Sequence, residues 1–92
     1  MPTYAVTYFY ADEPEVITEI RPMHREWLGQ LLEEGVLLAS GPKVSVPGAL
    51  LIFKVDHLEE LAHLLDRDPF DIAGVIEERV IEEWNPIFGP WS

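Results

Sequence analysis

The sequence predicts a single α+β domain over residues 1–92, a small sheet backed by helices in the order β-α-β-β-α-β. Three observations predict it. Tyr4 to Tyr10 is filled with β-branched and aromatic residues, the composition of a strand. Residues 22–34 carry apolar side chains at helical spacing and stop at Gly35, a normal C-terminal glycine. Two further strand-like runs, 36–40 and 49–55, then lead into the apolar stripe Leu58, Leu61, Ala62 and Leu65 of a second helix.

In the first strand Tyr4, Val6, Tyr8 and Tyr10 share one side, and Ala5, Thr7 and Phe9 the other. Asp12 is the expected N-cap of the segment that follows, with Glu15 three residues on. Pro22 removes a donor and disfavours helical geometry at Arg21, so a break or kink is expected there. On a helical wheel zeroed at Ile20, Trp27, Leu31 and His24 fall within one arc, with Met23 and Leu28 at its edges. His24 is therefore placed on the apolar face, where an imidazole needs a partner or a cavity.

Val36 to Ser40 is closed by the turn Gly41-Pro42, and Val46-Pro47-Gly48 leads into the strand Ala49 to Val55. Ala49, Leu51, Phe53 and Val55 line one face of that strand, while Leu50 and Ile52 keep the other apolar. A sheet with two apolar faces needs cover on both, and two helices cover one; a second copy of the chain is the expected cover. Asp56-His57-Leu58-Glu59 has the form of a capping box. His57 and His63 fall on the wet side of the helix it opens. Residues 75–84 fit neither period cleanly, and a final strand is assigned because the array needs one. The tail, with Ile87, Phe88 and Trp91, is too apolar for a free end and is expected to lie against the protomer or its neighbour.

Six basic against seventeen acidic residues give a formal net charge of −11. That field repels phosphate backbones and anionic membranes, which excludes nucleic acid as a partner. The longest apolar runs are too short to span a bilayer. Met1-Pro2-Thr3-Tyr4 has neither the basic region nor the apolar run of a signal peptide, so a cytoplasmic location is expected. With no cysteine there is no disulfide, thiolate nucleophile or Cys-based zinc site. No H-E-x-x-H, glycine-rich phosphate loop or G-x-S-x-G elbow is present, and His24 and Glu26 point to different helix faces. No metal and no cofactor is expected.

Four features remain as candidate chemistry. A lone His on an apolar face is most often structural; the functional alternative for His24 is a general base or acid, because imidazole titrates near neutral pH. Asp68 before Pro69 is what a helix N-cap looks like. It could also accept the proton-bearing nitrogen of His24, fix its tautomer and raise its basicity, the two roles using different carboxylate oxygens. Ser40-Gly41-Pro42 is a plain turn or the rim of a pocket. Arg21 pairs with a nearby Glu or with an anionic substrate.

These residues resemble those of the YciI-like (YCII-related) proteins. The likeness runs through Arg21-Pro22-Met23-His24 with Trp27-Leu28, then Gly35 and Leu37-Leu38-Ala39-Ser40-Gly41-Pro42. It continues through Gly48-Ala49-Leu50, Asp68-Pro69-Phe70, Ala73-Gly74-Val75 and the segment ending at Trp84. The resemblance implies a ferredoxin-like fold paired into a dimeric α/β barrel, with a His-Asp pair falling on His24 and Asp68. A dehydrochlorinase of aromatic degradation belongs to that family. The resemblance therefore implies a cofactor-independent enzyme, lyase or isomerase, with His24 shuttling a proton on a small metabolite, such as one derived from a ring. Asp68 would orient the imidazole, while Ser40, Gly41, Pro42, Phe70 and Arg21 contact the substrate. The rival reading is a dimeric small-ligand binding or accessory module without turnover.

Overall fold

The computed structural model describes all 92 residues. The elements are β1 (Thr3–Tyr10), α1 (Pro14–Glu33), β2 (Leu37–Pro42), β3 (Gly48–Lys54), α2 (Leu58–Leu65), α3 (Pro69–Ile72) and β4 (Ile76–Trp84). The four strands form one antiparallel sheet in the order β2-β3-β1-β4. That order splits each β-α-β unit around a central pair, the ferredoxin-like arrangement. All helices pack on one face. Tyr4, Val6 and Tyr8 of β1 and Ala49, Leu51 and Phe53 of β3 meet Leu31 of α1 and Leu61 and Leu65 of α2 in the main core. A second cluster, Ile17, Phe70 and Val75, joins α1 to α3 and the start of β4. No helix is long and apolar enough to cross a membrane.

The expected break at Pro22 does not occur: α1 is one helix of 20 residues with Pro22 inside it. Pro22 is exposed, so its ring displaces no packed side chain. Ile17 on one side of it and His24 and Leu31 on the other are all buried. Burial of that stripe outweighs the roughly 3 kcal/mol that an interior proline costs. Asp12 is not the cap either. Glu13 holds that position without a side-chain hydrogen bond, and Pro14 takes the first helical position, where its missing N–H costs nothing. Met23, at the edge of the wheel, is 51% exposed.

At the C-terminus of α1 the chain reverses through Gly35 at φ 78°. Val36 N–H donates to the Leu31 carbonyl at 3.0 Å and Gly35 N–H to that of Leu32 at 3.1 Å. Two of the orphan carbonyls are thereby satisfied. Gly74, at φ 74°, ends α3 the same way, with Val75 N–H on the Phe70 carbonyl.

β2 does not stop at Ser40. It continues through Gly41 and Pro42, pairing Ser40 with Leu51 and Pro42 with Ala49. A proline is tolerated there because β2 is an edge strand. One extra residue, Leu38, lies between Leu37, opposite Phe53, and Ala39, opposite Ile52. This bulge shifts the side-chain phase, so Leu37, Ser40 and Pro42 all share the helix-covered face.

The capping box at Asp56 does not form. His57 is the N-cap of α2 and makes no side-chain bond, which moves the box one residue out of register. Leu58, expected in the buried stripe, is the first residue of α2 and is 51% exposed. His57 and His63 are exposed, as expected. β4 forms with a bulge of its own, since Phe9 pairs with Glu78 and Tyr10 with Ile76. In the tail Trp91 meets Trp84 edge-on at 6.4 Å. Phe88 is 93% exposed, so only part of the tail lies against the protomer.

Candidate active site

The site lies at the seam between the two core clusters. α1 carries His24 inward, where the ring is 6% exposed. α3 supplies Asp68 as its N-cap, and Pro69 at the first helical position fixes the backbone there. His24 Nδ1 lies 2.7 Å from Asp68 Oδ1. An ionised carboxylate only accepts, so Nδ1 carries the proton and donates it to that bond. Phe70 N–H donates to the same Oδ1 at 2.9 Å, and the Tyr8 hydroxyl donates to Oδ2 at 2.8 Å. Asp68 is fully buried and is satisfied by three donors from three elements, the condition under which a buried carboxylate is tolerated.

The expectation that capping and histidine contact would use different oxygens is corrected: Oδ1 serves both, and Oδ2 is taken by Tyr8. Sequence reading missed Tyr8. The available signal was its place on the inward face of β1, because a buried tyrosine hydroxyl needs an acceptor. Burial pushes the Tyr8 phenol far above its ordinary range, and the Asp68 charge and hydrogen bond push it further. Tyr8 thus remains a neutral donor. Tyr10 is also raised, by burial first and then by Asp68, with Arg21 opposing.

The imidazole is clamped as well as bonded. Phe70 stacks on it with centroids 4.0 Å apart and planes inclined by 14°, and Trp27 lies near at 6.3 Å. The other ring nitrogen, Nε2, has no protein partner. Since no fully buried side-chain nitrogen or oxygen lacks a hydrogen bond, Nε2 reaches open space. That space is a cavity of about 240 Å³, with His24 in its wall.

Around the cavity stand Arg21, Ser40, Gly41, Pro42 and Phe70, each expected at the site, together with Tyr10 and Arg25. Leu28, Ala49 and Leu51 complete the lining. Asp68 does not line it; the carboxylate stands behind the imidazole. No cluster of three or more His, Asp or Glu side chains has the geometry to hold a metal. The arrangement presents one imidazole nitrogen with a free lone pair to a small space, and backs the other nitrogen with a negative charge. Such an arrangement is chemically capable of accepting a proton from a group in the cavity, with the carboxylate offsetting the charge of the imidazolium that would result.

The comparisons with known proteins agree with this architecture. The YCII-related domain model matches residues 1–85. Protein YciI of Escherichia coli O6:H1 (strain CFT073) is 33% identical over 88 residues, which is 85% of this chain and 90% of that protein. Among solved structures, the 5-chloro-2-hydroxyhydroquinone dehydrochlorinase of Burkholderia phenoliruptrix AC1100, in complex with 2,5-dihydroxybenzoquinone, superposes with a TM-score of 0.81 at 18% identity, over 90% of this chain and 93% of that one. An antibiotic biosynthesis monooxygenase follows at a TM-score of 0.59 and 17% identity, over 95% and 99% of the two chains. At those identities the two structures report the fold alone. The match over nearly the whole sequence, with a relative one-third identical, shows that the chain belongs to the YCII-related domain family.

Proposed function

We propose that this chain is a cytoplasmic, homodimeric, cofactor-independent enzyme that moves a proton on a small, ring-sized metabolite in an elimination or isomerisation. The observation that carries the reading is the free Nε2 of His24 at the cavity, with Nδ1 held by buried Asp68. The Nε2 lone pair takes a proton from a carbon next to a carbonyl or phenolic group. The electron pair left behind forms the new double bond, expelling a leaving group in an elimination or reprotonating elsewhere in an isomerisation. Asp68 stabilises the imidazolium, which then returns its proton to the product or to water. Ser40 brings a hydroxyl with no protein partner to the wall, suited to a substrate oxygen, while Phe70, Gly41 and Pro42 shape the space and Arg21 contacts the substrate. The dehydrochlorinase of the same fold, which is bound to a six-membered ring, supports this substrate size.

The dimer is proposed from the face of the sheet opposite the helices. Ala39, Leu50, Ala5, Thr7 and Val80 alternate with the core-facing residues there and, around Ile52, which is already buried within the protomer, form a largely apolar middle.

The enzyme reading is tested with chlorinated hydroquinones and cyclic 1,3-diketones in D2O, following chloride release and C–H exchange by NMR. The wild type is expected to act on at least one of them, and His24→Asn to lose about 100-fold or more. Asp68→Asn should lose comparable activity, because its carbonyl oxygen still meets Nδ1 and Phe70 N–H but the neutral amide no longer stabilises the imidazolium. Turnover by His24→Asn at the wild-type rate removes the proposal. Ligand binding without turnover anywhere in the panel leaves a binding module in its place.

A further inference from the structure

We infer that Arg21 and Arg25 form the anion-binding half of this cavity, and that its ligand is a ring-sized monoanion whose charge is delocalised over oxygens, a carboxylate or an enolate. This deepens the reading above by naming the substrate class. Acidic residues outnumber basic ones seventeen to six in this chain, yet the cavity wall holds two arginines and no Asp or Glu. Neither arginine makes a salt bridge; the protein's ion pairs are His24–Asp68 and those of Arg79 with Asp66 and Asp71.

The helix itself withholds partners. Three and four residues from Arg21 stand Ile17, Thr18, His24 and Arg25; from Arg25, Arg21, Pro22, Leu28 and Gly29. No carboxylate occupies any of these neighbouring positions, and the arginines are instead each other's i,i+4 neighbours. A like-charge pair at that spacing destabilises a helix. In a chain this acidic, two uncompensated guanidinium groups beside one cavity are explained by a ligand that supplies the missing charge.

Guanidinium forks suit planar oxyanions in particular, since each can donate two parallel hydrogen bonds to a carboxylate or to a similarly delocalised pair of oxygens. The size limit comes from the cavity, whose roughly 240 Å³ is below the range of drug-sized ligand sites. The aromatic wall of Tyr10 and Phe70 favours a flat body. Charge held by Arg21 and Arg25 leaves the neutral carbon skeleton to meet Nε2 of His24, which lies between them in sequence.

Titration calorimetry with two matched pairs tests this: benzoate against benzamide, and cyclohexane-1,3-dione, an enolate at neutral pH, against 3-methoxycyclohex-2-en-1-one. The expected result is a preference of about tenfold or more for the anion in at least one pair, and which pair shows it identifies the oxyanion. The double variant Arg21→Gln/Arg25→Gln should bring that preference to about one, while Arg67→Gln, an exposed charge outside the cavity, leaves it in place. Equal binding of both members, no binding of any of the four, or a preference that survives the double variant overturns the inference. His24→Asn should keep the preference. A protein that selects anions but never turns them over therefore loses the enzyme reading and keeps this one.

Discussion

At the scale of single residues, His24 and Asp68 are legible for separate reasons. Helical spacing puts His24 inward, and Asp-Pro marks a cap. Nothing local joins two residues 44 positions apart; their chemistry allows the pairing, and the family resemblance is what favours it over capping alone. Tyr8 is the residue that turns the pair into a network, and it has a consequence that can be measured. Its pKa is raised above the ordinary value of 10.0, so the folded state holds its proton more tightly than the unfolded state. That contribution is fully present below pH 10 and is lost as pH rises beyond it, at about 1.4 kcal/mol per pH unit for one group. Urea unfolding followed by tryptophan fluorescence should therefore show stability falling steeply above about pH 10. Tyr8→Phe should cost about 1–3 kcal/mol at neutral pH by leaving Asp68 Oδ2 without its donor, and should flatten the alkaline decline. An alkaline slope identical in the variant and the wild type would show that Tyr8 is not the group responsible.

At the scale of elements, the first three strands and the two main helices follow from periodicity, the last strand follows from the array's need for one, and the errors have identifiable causes. Residues 75–84 fit no single period because the bulge opposite Phe9 and Tyr10 changes the phase partway along β4. Ile76 and Ile81, at opposite parity in sequence, both pack against the core as a result. The bulge at Leu38 has the same effect in β2 and is what turns Ser40 and Pro42 toward the cavity. Bulges leave no mark in hydrophobicity alone. Pro22 misled in the other direction, a strong local signal overridden by burial on both sides of it. Replacing this exposed, helix-interior proline by alanine restores a backbone donor and removes the ring clash, a gain of about 3 kcal/mol that the greater freedom of the unfolded chain reduces to about 2. For a chain of this size Pro22→Ala should raise the melting temperature by on the order of 10 °C. Scanning calorimetry showing no rise would mean that the proline is matched to the curvature of α1.

At the scale of the whole molecule, the sheet is unevenly finished. Its helix side is covered by two core clusters with the cavity at their seam, whereas its other side is partly covered by the tail at Trp84 and Trp91 and otherwise open. Leu50, 45% exposed in the single protomer, stands opposite Thr7 on β1 and Gly41 on β2, in the middle of the apolar strip. A face of that character in so acidic a chain is stable in water only if its apolar surface is small or covered. Like charge opposes association, since each copy carries −11, so the apolar strip must outweigh a repulsion that salt screens. Two outcomes follow for sedimentation at micromolar concentrations. The protein should run as a dimer whose dissociation constant falls as salt is raised from about 20 mM to 150 mM, the range over which the screening length shortens to about 8 Å. Leu50→Glu should give a folded monomer, because that side chain touches no part of the protomer's own core. A wild-type monomer at all salt concentrations would leave the apolar strip without a role, and would detach the cavity beside Gly41 and Pro42 from any influence of a second copy.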